Sequence, residues 1–263
     1  MKPILTETYF LSAGETNAEQ EMSLPLLVSK LIDIATLHAN SLGIGNPSMK
    51  DMHAGWVLAR LAIEMKRYPR VNENYRLNTW IENFNRHFSV RCFSIENEDS
   101  EILGLARSVW MVMDTENHTN VGLKHFNLPE SMVLGKEVDI PPISKHISKI
   151  CGEDEKDYDP KTCLKSTHEP YEYTFKYCDL DSYRHVNTVR YVSLLLNRFS
   201  LESHDRFFVK RIELSFLHEA KYDMTTLLFR ADENNGLTSS FSLIEKANEK
   251  QILFARLIRE ERK

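Results

Sequence analysis

The chain has 263 residues, of which 42% are apolar and 27% charged, a composition that allows a sizeable buried core and excludes a fibrous or disordered chain. Its net charge of −5 and pI near 6.1 exclude the basic excess that draws proteins to nucleic acid or anionic lipid. No apolar run approaches the roughly 18 residues of a membrane-crossing helix, and "MKPILTETYFLSAGETNAEQ" has no apolar core that would make it a signal peptide. In "SLPLLVSKLIDIATLHANSLGI", Val28, Leu31, Ile32, Ala35, Ala39 and Leu42 recur at helical spacing, and Gly43 follows as a stop. "GWVLARLAIEMKRYP", "YRLNTWIENFNRHFSVRCFSIEN" and "EILGLARSVWMVMDTEN" mix β-branched and aromatic residues with polar ones between turn-formers, and predict antiparallel strands. The Pro pair and charge run of "GKEVDIPPISKHISKICGEDEKDYDPKTC" predict a linker over 136–168, between domains at 1–135 and 169–263.

The remaining segment repeats the plan. "HVNTVRYVSLLLNRFS" predicts a helix with Val189, Val192, Leu195, Leu196 and Phe199 on one face. The strands "VKRIELSFLHEA", "MTTLLFRADEN", "LTSSFSLIEK" and "QILFARLIREE" follow. Ile63-Glu64-Met65 precedes Trp80-Ile81-Glu82-Asn83 by the same offset at which Ile212-Glu213-Leu214 precedes Phe229-Arg230-Ala231-Asp232. Two related units, each a sheet with one helix, are expected.

The stretch "YCDLDSYRHVNTVRY" raises the question of chemistry. Asn187 is placed as the N-cap of the second helix. Asp181 and His185 lie just before it, where helix-start N–H groups point outward and suit an anion or a carbonyl oxygen becoming one. A carboxylate and an imidazole there can orient and activate water, and a polar turn explains the same residues equally well. Asp179 fits a turn-forming role. The four cysteines, Cys92, Cys151, Cys163 and Cys178, are scattered without a CxxC pair, so reduced thiols and a cytoplasmic location are expected. There is no HExxH and no Gly-rich phosphate loop, so no metal and no cofactor are expected. His38 fits a polar contact inside the sheet, His87 and His125 have no evident partners, and Trp56, Trp80 and Trp110 fit the core.

Several segments together resemble one family. "DLDSYRHVNTVRYV" is similar to the D-x-N-x-H-V-N-N segment of the acyl–acyl-carrier-protein thioesterases, the plant-type enzymes and their bacterial relatives. "GWVLARLAIEMKRYP", "EILGLARSVWMVMD", "IDIATLHANSLGI" and "IELSFLHEAKYD" resemble further family segments, in order, from about residue 4 to 256. The resemblance implies an α+β fold, a tandem double hot-dog of two antiparallel sheets each wrapped around a central helix. It implies hydrolysis of fatty acyl-carrier-protein thioesters, terminating fatty acid synthesis, with Asp181, His185 and Glu219 as catalytic residues. The acyl chain would lie in an apolar slot of the first unit, with Trp56 in its lining and Asn187 contacting substrate.

The chain departs from the family at two places. Tyr183 stands where the family has asparagine between the aspartate and the histidine, and offers one hydroxyl on a longer arm, either as a donor to the substrate or as a spacer. Ala220 stands where plant members carry cysteine, which removes a thiol nucleophile and favours water activation. The expected partner is an acyl-carrier protein, with no nucleic acid and no membrane insertion, and a homodimer is left open. Docking on that acidic partner would use basic clusters, at Lys66, Arg67 and Arg70, at Arg86 and Arg91, or at Lys210 and Arg211. An acyl-CoA thioesterase and a non-catalytic acyl-binding module are the alternatives.

Overall fold

The structure, a computed structural model, describes residues 2–49, 53–114, 116–117, 119–123, 126, 128–143, 149–151 and 163–262. Backbone contacts divide the chain into two units, Met1–Pro142 and Ile143–Lys263.

The first unit runs β1 (Ile4–Phe10), α1 (Leu24–Ser41), α2 (Asn46–Met49), β2 (Ala54–Met65), β3 (Asn74–Phe84), β4 (Ser89–Asn97) and β5 (Ile102–Asp114). α1 begins where Ser23 Oγ accepts from Leu26 N–H, with Pro25 in its first turn, and it ends before Gly43, whose φ of +75° suits glycine. It buries Leu24, Leu27, Val28, Leu31, Ile34, Ala35, His38 and Ala39, and packs on β1 and β3. Burying a side chain of this size contributes about 1.5–3 kcal/mol, so this stripe, more than helix propensity, holds α1 in place. Strand order in this unit is β1-β3-β4-β5-β2, all antiparallel.

The second unit runs β6 (Lys149–Cys151), β7 (Cys163–Lys165), β8 (Tyr171–Thr174), α3 (Thr188–Leu196), α4 (Leu201–Arg206), β9 (Phe207–Phe216), β10 (Thr225–Glu233), β11 (Thr238–Glu245) and β12 (Gln251–Glu261). β6 and β7 form a short parallel pair within the stretch expected as a linker, of which 144–148 and 152–162 lie outside the described residues. The order β8-β10-β11-β12-β9 repeats that of the first unit, strand for strand. α3 is shorter than the predicted helix, because Asn197 closes it and Ser200 caps a separate helix, α4. Its buried face is Tyr191, Val192, Leu194 and Leu195, rotated from the expected stripe, so that Tyr191 and Leu194 replace Val189 and Leu196.

The expected pair of separate sheets is corrected by the strand order. The strand order places ten strands, five from each unit, in a single sheet in place of the two expected. The physical reason is that alternation along a strand marks which face each residue takes and carries nothing about how many sheets the strands make. β1 and β8 were not among the predicted strands, although "ILTETYF" alternates between exposed and half-buried residues as an edge strand does.

Candidate active site

A single turn of helix at Tyr177–Asp179 leads into the site, closed by Asp179 Oδ2, which accepts from Lys176 N–H at 2.8 Å and from Tyr173 Oη at 3.1 Å. Asp179 is therefore a turn-former. The next residues fold into a tighter turn. Asp181 N–H donates to the His185 carbonyl at 2.8 Å, and Asp181 Oδ1 accepts from the N–H groups of Tyr183 at 2.8 Å and His185 at 3.1 Å. Arg184 takes a φ of +65° to close it. Asn187 Oδ1 then accepts from Val189 N–H at 3.1 Å and starts α3, so the cap expected there is present.

A second segment meets this turn. Val186 N–H donates to the Ala220 carbonyl at 2.9 Å, and His185 bridges to Lys221. This pairing brings Glu219 alongside the histidine. His185 Nε2 lies 3.2 Å from Glu219 Oε2, with both side chains partly open to solvent. The imidazole thus pairs with the distant Glu219, while Asp181 in the same turn binds backbone. Tyr183 uses only its N–H in the turn, and its ring is 59% exposed.

The same frame occurs in the first unit. Asn17 N–H donates to the Glu21 carbonyl, Asn17 Oδ1 accepts from Glu21 N–H at 3.1 Å, and Gln20 has a φ of +58°. Met22 N–H donates to the Pro69 carbonyl, Glu21 bridges to Arg70, and Ser23 caps α1. Asn17, Gln20, Glu21, Ser23 and Arg70 therefore correspond to Asp181, Arg184, His185, Asn187 and Lys221. Sequence reasoning missed this equivalence, although Asn17-x-x-x-Glu21-x-Ser23 ahead of a helix carries its signal. Tyr191 was also missed as a site neighbour. Its phenol is buried on α3, with its ring 5.6 Å from that of Phe175 and 5.8 Å from that of Phe216. Burial pushes its pKa up, and the charges of Glu219 and Asp181 add in the same direction.

Trp56, expected both in the core and against substrate, donates from Nε1 to the Ile44 carbonyl at 2.7 Å and stacks on Phe126. It packs on the apolar clusters of Ala39, Leu42, Ile44 and Ile81 and of Met49, Val112 and Leu123. His38 is a buried polar contact, as expected. Arg91 Nη1 donates to its Nδ1 at 2.7 Å, and its Nε2 lies 3.2 Å from the Lys2 carbonyl. Burial and then the Arg91 charge push the His38 pKa down to about 4. His87 accepts from Arg86 Nε at 2.8 Å, and His125 lies outside the described residues.

The model of the acyl-ACP thioesterase N-terminal domain matches residues 3–124, and that of the acyl-ACP thioesterase C-terminal domain matches residues 164–256. The chain belongs to the acyl-ACP thioesterase family. Asp181, His185, Asn187 and Glu219 all lie inside the second match. A chloroplastic palmitoyl-acyl carrier protein thioesterase of Gossypium hirsutum is 26% identical over 77% of this chain and 49% of its own length. A chloroplastic oleoyl-acyl carrier protein thioesterase of Coriandrum sativum is 23% identical over 82% of this chain and 59% of its own length. The chain thus spans about half of these two curated relatives' lengths. Among solved structures, an acyl-ACP thioesterase from Bacteroides thetaiotaomicron covers 98% of both chains with a TM-score of 0.84 at 23% identity. A 12:0-ACP thioesterase from Umbellularia californica covers 98% of this chain and 94% of its own, with a TM-score of 0.76 at 17% identity. These likenesses concern the fold. No described helix is long and apolar enough to cross a membrane.

Proposed function

We propose that the chain hydrolyses fatty acyl thioesters borne on acyl-carrier protein, releasing free fatty acid and carrier and so terminating fatty acid synthesis. The observation that carries this reading is the His185–Glu219 pair, 3.2 Å apart at the start of α3, inside the family's C-terminal segment. Glu219 Oε2 accepts from His185 Nε2–H and leaves Nδ1 with a lone pair. Nδ1 takes a proton from water as the water oxygen bonds to the thioester carbonyl carbon. The oxyanion forms beside the α3 N-terminus. There Asn187 Oδ1 holds Val189 N–H and the Asn187 carbonyl holds Arg190 N–H, so Thr188 N–H is the first-turn donor left for it. Collapse of the adduct breaks the C–S bond, and the imidazolium returns its proton to the departing thiolate. A thiol, with a pKa of about 8.5, leaves readily. Glu219 stabilises the imidazolium in between.

Asp181 is a positioning residue in this scheme, holding His185 through the turn. Ala220 offers no thiol, so water is the nucleophile. The acyl chain is assigned to the apolar clusters around Trp56 in the first unit, and the cytoplasmic location belongs to the same proposal, in keeping with the free thiols of Cys92 and Cys178. The test is hydrolysis of acyl-carrier-protein thioesters of graded length beside the matching acyl-CoAs. His185→Ala should lower turnover by about a hundredfold or more and Glu219→Gln by about tenfold or more. Parental rates in both variants would dismiss the site, and a clear preference for acyl-CoA would dismiss the carrier protein as substrate.

A further inference from the structure

The two copies of the turn form an internal control. They share backbone bonds, left-handed residues and caps, so residues that differ between them at exposed places are not required by the fold. Around His185 and Glu219 the second unit carries Tyr177, Tyr183, Arg184, Arg190, Lys221 and Tyr222. The matching places in the first unit hold Ala13, Glu19, Gln20, Leu26, Arg70 and Val71. The second unit therefore has three tyrosines where the first has none, and three cations where the first has one.

These side chains face solvent. Tyr177, Tyr183 and Tyr222 are 82%, 59% and 59% exposed, far from the usual fate of aromatic rings. Arg184, Arg190 and Lys221 are exposed as well, and among the described residues none of them has an acidic side-chain partner. Several other cations of the second unit are neutralised: Lys176 pairs with Asp223, Lys210 with Glu260, Arg206 with Glu261 and Lys246 with Glu172. Each basic cluster expected from sequence has at least one member occupied. Arg67 forks onto Glu73, Arg211 pairs with Glu213, and Arg91 is buried against His38.

We propose that this collar of tyrosines and unneutralised cations is the docking surface for the acidic carrier protein that delivers the thioester to His185. The proposal rests on the function given above. Tyrosine and arginine are among the residues enriched where binding energy concentrates at protein interfaces, tyrosine by its large rigid ring and arginine by its charge and forked donors. Net charge on the whole chain is −5, so an acidic partner is repelled at long range and needs a local positive field to orient it. The collar supplies that field at the site mouth and nowhere that the fold demands it.

The first unit also supplies the test substitutions, since its residues already fit this frame. The triple variant Arg184→Gln, Arg190→Leu, Tyr222→Val is compared with the parent on an acyl-carrier-protein thioester and on the same acyl group borne by N-acetylcysteamine. Binding of the unacylated carrier protein is titrated in parallel. The expected result is a loss of tenfold or more in kcat/KM on the carrier-protein substrate, weaker carrier binding and a flattened salt dependence. Turnover of the small thioester should stay within twofold. Equal losses on both substrates, or no loss on either, would overturn the docking surface while leaving the proposed hydrolysis standing. A parent that cleaves the small thioester but neither binds carrier protein nor cleaves its acyl form would overturn the proposed function itself, and the docking surface with it.

Discussion

Asp181 commits one carboxylate oxygen to two backbone N–H groups, and the Asn17 amide oxygen serves the matching turn of the first unit. An amide can therefore do what this carboxylate does in the structure. Asp181→Asn should keep turnover within about threefold, whereas Asp181→Ala should open the turn, displace His185 and cost about a hundredfold, the usual penalty for misplacing a reacting group by an ångström. A pH–rate profile unchanged in Asp181→Asn would support the positioning role. A fall as deep as that of the alanine variant would mean that the negative charge itself takes part. Tyr183 is tested in the same way. Among the described residues its hydroxyl bonds no member of the site, so Tyr183→Phe should hold its rate on a small thioester, and a marked loss would make the phenol a donor in the reaction.

At the scale of the element, α3 shows what the sequence could and could not disclose. Its N-terminus was legible, because Asn187 is a strong cap and the apolar period begins directly after it. Its end was not, since Leu195, Leu196 and Phe199 continue the pattern through the Asn197 break and only tertiary packing separates α3 from α4. The pairing of His185 with Glu219 was legible only through family resemblance. The two lie on different segments, joined by the Val186–Ala220 bond, which no local spacing encodes. The identity of the longer strands followed from alternation, but the number of sheets they make is a property of edges, which carry no period of their own. The cap gives a direct test. Asn187→Ala should lower stability by about 1 kcal/mol, and Asn187→Ser should restore it, as Ser23 does for α1. Loss of activity in the serine variant at unchanged thermal stability would mark the amide as a substrate contact beyond its capping role.

On the scale of the whole molecule, the units differ in what they bury. The first encloses Arg91 against a histidine and a threonine, His38 Nδ1 at 2.7 Å and Thr79 Oγ1 at 3.2 Å from its Nη1. Burial pushes the Arg91 pKa down to about 10 and that of His38 to about 4. His38 is thus neutral in the folded chain at pH values where it would already be charged in an unfolded one. The unfolded state binds the extra proton, so stability is fully present above pH 6.5 and falls as the pH drops toward about 4. A depression of that size corresponds to about 3 kcal/mol. Glu73, held low by its bonds to Arg67, gives up its contribution only as the pH falls below its ordinary value of 4.5, so its window meets that of His38 only at the acid end. Trp56, Trp80 and Trp110 are the chain's 3 tryptophans and all lie in the first unit, so their fluorescence reports that unit alone. Denaturant titrations followed by this signal should show stability declining between pH 6.5 and 4 in the parent. In His38→Gln, whose side-chain oxygen can still accept from Arg91 but cannot titrate, the decline over that window should vanish. Parallel slopes in the two proteins would place the acid sensitivity elsewhere in the unit.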